Sequence, residues 1–137
     1  MSDRTVTLTI PARSEYLILA RLALAGIARG VPLSEEVLAD LKLAVTEACG
    51  NAVAHAYPET PGTVEVRYAV GGDSIAIEVL DRGDREPPAL PAGMPGLDGE
   101  LPPESGMGLA IVQAIVDEVE IEPLDGGGTV VRMRKQL

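Results

Sequence analysis

Apolar residues alternate with threonine along Thr5-Val6-Thr7-Leu8-Thr9-Ile10, the two-residue period of a strand with one buried face, and Pro11 ends the run. The pattern then changes. From Arg13 to Arg29 the chain is apolar and rich in helix formers, with charges at wide intervals, and Gly30 and Pro32 supply a stop, which predicts a first helix. Ser34-Glu35-Glu36-Val37 opens a second helix with a capping hydroxyl and acids in its first turn, continuing to about Tyr57 ahead of Pro58. Thr63 to Val70 and Ser74 to Asp81 are strand-like runs around Gly71-Gly72-Asp73, a hairpin signal, so they should pair antiparallel. A helix pattern starts at Gly108, and its apolar run reaches about Val119. A strand from Val119 to Leu124, a turn at Gly126-Gly127-Gly128 and a strand from Thr129 to Lys135 follow.

Between Arg82 and Glu104 stand Pro87, Pro88, Pro91, Pro95, Pro102 and Pro103 with Gly83, Gly93, Gly96 and Gly99, which neither a helix nor a strand interior tolerates. This is a long loop, of the kind that forms a lid, a binding loop or a disordered segment when it interrupts a compact domain. The order β-α-α-β-β-loop-α-β-β predicts an α+β fold: a two-layer sandwich in which a mixed, mostly antiparallel sheet packs on helices. At 137 residues, without a tandem repeat, residues 1–137 read as one domain.

Composition narrows what such a domain can do. With no Phe, no Trp and 3 Tyr, the core must be built from Leu, Ile, Val, Ala and Met, and the stacking platforms of single-stranded nucleic-acid binders are missing. A formal net charge of −10 argues against any nucleic acid as partner, because such binding draws its affinity from Lys and Arg. The same charge suits a basic protein partner and also suits solubility. Cys49 is the only cysteine, placed within a helix as a small buried residue would be. The first residues carry no apolar signal core, and no window is long and apolar enough to span a membrane, so the chain reads as cytoplasmic, without a membrane partner.

Candidate chemistry begins on the second helix. Stepping ~100° per residue from Glu47, Asp40 falls near ~20° and Asn51 near ~40°, a polar seam beside the apolar face of Val37, Leu38, Leu41, Val45, Ala48 and Ala52. Glu47 and Asn51, four residues apart, can project into one small volume. There a carboxylate can take a proton from a nucleophile, and an amide oxygen is a suitable hard ligand for Mg²⁺; a surface Glu beside a locally bonded Asn is the plainer alternative. Asp81, followed by Arg82-Gly83, is either a turn former or a carboxylate reading the exocyclic amine of a base. Thr129 after three glycines is either a simple strand start or part of the same pocket. In Glu104-Ser105-Gly106-Met107-Gly108-Leu109, the paired glycines ahead of a helix suit tight packing or the approach of an anion to unpaired N–H groups. His55 has no Ser, Asp or Cys partner at a recognisable spacing and reads as a wall residue.

Four segments stand in a set order: Leu41 to Tyr57 "LKLAVTEACGNAVAHAY", Val79 to Asp84 "VLDRGD", Ser105 to Val112 "SGMGLAIV" and Gly126 to Met133 "GGGTVVRM". Together they resemble the ATPase family that includes gyrase B, Hsp90, histidine kinases and MutL, and within it the stand-alone anti-sigma factor serine kinases of the RsbW and SpoIIAB type. The resemblance covers nearly the whole chain. It implies the histidine-kinase-like ATPase fold, known as the Bergerat fold, with ATP and Mg²⁺ as cofactors and a lid over about residues 82–105. By resemblance Glu47 is the base that activates the attacking hydroxyl and Asn51 the Mg²⁺ ligand. Asp81 is the adenine-reading carboxylate, supported by Gly83 and Thr129. Gly106 and Gly108, with neighbouring Ser105, Met107 and Leu109, are the segment that closes on the phosphates. The implied partners are a sigma factor and an anti-anti-sigma protein of the STAS type, and relatives are often homodimers. The chain departs from the family where Asp84-Arg85-Glu86-Pro87-Pro88 replaces the usual second glycine and apolar residue, a change that bears on lid geometry before nucleotide binding. Two other functions remain: a nucleotide-responsive binding module that switches partners without phosphoryl transfer, and a regulatory kinase in a pathway without a sigma factor.

Overall fold

The structure, a computed structural model, describes residues 4–55, 62–83 and 107–137. Strand β1 (Arg4–Pro11) leads through a 3-10 turn (Ser14–Tyr16) into helix α1 (Leu17–Ala28) and then helix α2 (Glu35–His55). Strands β2 (Thr63–Val70) and β3 (Ser74–Asp81) form the hairpin, and helix α3 (Met107–Ile115) precedes strands β4 (Glu118–Pro123) and β5 (Thr129–Gln136).

One five-stranded sheet in the order β1-β2-β3-β5-β4 carries all these strands, and every pairing is antiparallel. The expected two-layer α+β sandwich is therefore present, with a correction: the sheet is antiparallel throughout among the described residues, not mixed. β5 enters between β3 and β4 and pairs antiparallel with both, so no parallel neighbour arises.

Period-two alternation decides which face is buried. Val64, Val66, Tyr68 and Val70 of β2, Ile75, Ile77 and Val79 of β3, and Val131 and Met133 of β5 meet Leu41, Ala44, Val45, Ala48, Cys49 and Ala52 of α2 in one core. Alanines on α2 let the helix lie close to the sheet, which a core without Phe or Trp requires to avoid voids. Tyr68, fully buried, donates from its hydroxyl to Ala20 O at 2.8 Å and pins α1 to the sheet. Burial pushes its phenol pKa up. Cys49 is buried as expected, and the same loss of solvation pushes its thiol pKa to about 12, so it stays protonated and inert.

The opposite face of the sheet carries a ladder of ion pairs. Arg67 meets Glu65 at 2.5 Å and Glu78 at 3.8 Å, Arg132 meets Glu78 at 2.8 Å and also pairs with Glu122, and Arg134 meets Glu118 at 2.9 Å. Half-exposed pairs of this kind add little stability each. They keep that face polar.

Two helix boundaries differ from the pattern. α1 starts at Leu17, because the chain from Ser14 to Tyr16 takes a 3-10 turn. α3 ends at Ile115, four residues before the end of its apolar run, because Asp117 N–H donates to Arg134 O at 2.9 Å and draws the chain into the sheet. Ser34 caps α2 as predicted, its Oγ accepting from Val37 N–H at 3.1 Å.

Candidate functional site

The predicted site residues come from four elements that share the helix-facing side of the sheet. Asp81 continues the inward row Ile75, Ile77, Val79 and lies directly opposite Thr129 on β5, so the two side chains leave the same face at the end of the core. Both are buried, at 4% and 1% exposure. Gly83 N–H donates to Asp81 Oδ1 at 3.0 Å, which fixes the carboxylate's orientation, and Gly83 is itself buried. The turn-forming use of Asp-x-Gly is thus present, and it holds a buried carboxylate beside Thr129.

Gly128 brings Thr129 into place, a role sequence reasoning did not give it. Its φ is +110°, and a β-carbon there would lie 2.1 Å from Asp81 O and 2.9 Å from Arg82 Cα. Only glycine permits this backbone-on-backbone approach of the β5 entry to the β3 exit. Its position immediately before Thr129 was the available signal. Gly126 and Gly127 also have positive φ but face open space, so they serve the turn alone.

On α2, Asn51 is buried at 9% exposure and Glu47 is half-buried. Among the described residues, two buried side-chain polar atoms have no hydrogen-bond partner: Asn51 Nδ2 and Thr129 Oγ1. Leaving a buried polar group unpaired costs about 1–3 kcal/mol, so such atoms are rare without a purpose. Both belong to the predicted site. The unpaired Asn51 atom is the amide nitrogen, which can donate to a phosphate oxygen or a water, while its amide oxygen is the atom a Mg²⁺ bound chiefly by phosphates would take.

Glu47 faces the start of α3. A β-carbon on Gly108 would lie 2.8 Å from Glu47 Oε1, so the glycine gives the carboxylate its space. Leu109, in the first turn of α3, is buried at 1% exposure. Met107 opens α3. Ser105 and Gly106, and the expected lid from residue 84 on, lie outside the described residues, as does the side chain of His55. Asp40, the third member of the polar seam, is engaged elsewhere: its Oδ2 lies 3.6 Å from Lys135 Nζ at the far end of α3.

The chain is similar to known proteins over nearly its whole length. The histidine kinase-like ATPase domain family matches residues 10–135. The serine-protein kinase RsbW of Bacillus velezensis is 36% identical over 138 residues, covering 96% of this chain and 85% of that protein. RsbW of Bacillus subtilis is 34% identical over the same shares, and that of Listeria monocytogenes serovar 1/2a is 37% identical over 88% of this chain and 80% of its own length. In fold, the chain is similar to a crystal structure of the RsbU and RsbW domains of Rv1364c from Mycobacterium tuberculosis, with a TM-score of 0.71 and 23% identity over 98% of this chain and 32% of that longer one.

Proposed function

This chain belongs to the histidine kinase-like ATPase family, among its RsbW-type serine-protein kinases, and from that premise we propose that it binds ATP with Mg²⁺ and phosphorylates a serine or threonine of an anti-anti-sigma protein of the STAS type. Unphosphorylated antagonist competes with a sigma factor that the kinase otherwise sequesters. The protein works in the cytoplasm, with no nucleic acid of its own to bind. No helix among the described residues is long and apolar enough to cross a membrane.

The pairing of Asn51 Nδ2 and Thr129 Oγ1 as buried atoms without partners is the observation that supports this reading most strongly, since the two lie on the nucleotide-holding positions that family resemblance implies. Magnesium-bound ATP supplies the phosphoryl group. Asp81, oriented by Gly83 N–H and flanked by Thr129, receives the adenine amine. Asn51 would hold the metal through its amide oxygen. The N–H groups at the start of α3 face the phosphates, where a helix terminus favours negative charge. Glu47 accepts the proton of the protein hydroxyl as its oxygen attacks the terminal phosphorus, and ADP leaves. A binding module without transfer has no need of a carboxylate kept clear by a glycine, so the kinase reading stands ahead of it.

The test is direct. Purified protein, labelled ATP, Mg²⁺ and a STAS-type antagonist that binds it should yield label on a hydroxyl of the antagonist, with a sigma factor released when unphosphorylated antagonist is in excess. An antagonist that binds yet acquires no label contradicts the proposal.

A further inference from the structure

Helices α2 and α3 run antiparallel, in contact at one end of a shared span and bridged by Lys135 at the other. Glu47 lies against Gly108 at one end. At the other, Lys135 Nζ donates to Ile115 O at 2.7 Å, on the last residue of α3, and lies 3.6 Å from Asp40 Oδ2 of α2. Asp40 and Glu47 are seven residues apart, as are Gly108 and Ile115, so both helices cover about 10.5 Å between the two contacts at 1.5 Å per residue.

We propose that Lys135 is a positioning residue for Glu47: its ammonium, clamped between the C-terminal carbonyl of α3 and the Asp40 carboxylate, sets how α3 lies along α2 and hence where Gly108 stops against the Glu47 carboxylate. The inference rests on the reading of Glu47 as the base. Lys135 is the one cation in the inward row of β5, following Val131 and Met133 and lying opposite Ile75, and its side chain is 18% exposed. An apolar side chain would fill that row without the cost of desolvating an ammonium. What the ammonium does there is join three elements, the end of β5, the end of α3 and the first half of α2. A cation at a helix C-terminus satisfies carbonyls the helix itself leaves unpaired.

The lever is short and stiff. α3 has nine residues, and its contact with Glu47 is made by a residue with no side chain to adjust. Buried Leu109, Ala110 and Val112 hold α3 down on the core through non-directional contacts. The directional bond to the Ile115 carbonyl adds a fixed point at the far end of the helix. Displacement of the C-terminal end is then transmitted through the rigid helix to Gly108.

Lys135→Met keeps the stem and removes the charge, whereas Lys135→Arg keeps a charged donor. The first readout is the amide resonance of Gly108 in nucleotide-free protein. The second is single-turnover transfer from Mg·ATP to the antagonist, in wild-type and Glu47→Gln backgrounds. Lys135→Met should shift the Gly108 resonance while those of Asp81 and Thr129 stay in place. It should lower the transfer rate about tenfold with the KM for ATP within about threefold, and should cost less than about twofold once Glu47 is Gln. Lys135→Arg should recover most of the rate. Should Lys135→Met fail to fold, Asp40→Asn carries the same readouts. An unmoved Gly108 resonance, or an equal loss of rate in both Glu47 backgrounds, overturns the inference. A wild-type protein that transfers no phosphate defeats the kinase reading instead, and Lys135 then stands or falls on the Gly108 resonance.

Discussion

Gly108 and Glu47 touch across two helices: a β-carbon on Gly108 would stand 2.8 Å from Glu47 Oε1 and 3.6 Å from Glu47 Cβ. The contact joins the two alternatives raised by the glycine pair, close packing and anion approach, because the packing partner is the candidate base itself. Gly108→Ala should push the Glu47 carboxylate aside, and because Oε1 is the far end of a flexible side chain the cost in stability should be small. Transfer assays at saturating ATP should show a loss of rate while denaturant unfolding changes little. A variant with wild-type rate would mean that the contact carries nothing.

The three-glycine turn separates conformational from packing demands. Gly128→Ala meets both a positive φ and the Asp81 carbonyl at 2.1 Å, whereas Gly126→Ala and Gly127→Ala meet only the φ. The first should destabilise by more than about 3 kcal/mol and the others by about 1–2 kcal/mol each. Equal melting temperatures for the three variants would remove Gly128 from the site's framework.

Asp81→Asn should weaken ADP binding tenfold or more, since a charge-assisted hydrogen bond is worth about 1.5–3 kcal/mol. The amide retains an oxygen that can accept from Gly83 N–H, so the turn should survive. Isothermal calorimetry decides the point: unchanged affinity in a folded variant rules out Asp81 as the adenine reader.

Thr129→Val tests the unpartnered hydroxyl from the other side. With Thr129 Oγ1 buried and unpaired in the ligand-free protein, an isosteric methyl should leave stability unchanged or raise it by about 1 kcal/mol, while ADP affinity falls. This opposite movement of stability and binding marks a group kept for a ligand. A clear loss of ligand-free stability would show that the hydroxyl serves the fold.

Much of this was readable before any coordinates. Threonine alternation from Thr5 to Ile10, the hairpin glycines and Ser34 reported the strands and the α2 cap, because each depends on local chemistry alone. The i,i+4 spacing brought Glu47 and Asn51 to one side of α2, and the apolar run from Ser74 ended its strand at Asp81. Long-range pairing was less legible. Gly128 read as a turn residue because the strand it abuts, ending at Asp81, lies 47 positions away in the chain. Asp40 read as a member of the Glu47 seam because helical angle alone says nothing of Lys135, whose partners are set by how β5 enters the sheet. The end of α3 was misread for the same reason: its apolar run continues into β4, and only the bond from Asp117 to Arg134 divides helix from strand.

Phosphoryl transfer at this site turns on Glu47, and Glu47→Gln tests that role most directly. The amide keeps the shape beside Gly108 and the helix is undisturbed, so ADP affinity should remain within about threefold of wild type while proton transfer is lost. Single-turnover transfer from labelled Mg·ATP to the antagonist, measured beside ADP titrations of both proteins, should slow by about 10²–10⁴-fold in the variant. A variant that transfers phosphate as fast as wild type would contradict the role given to Glu47 and with it the chemistry proposed for this site.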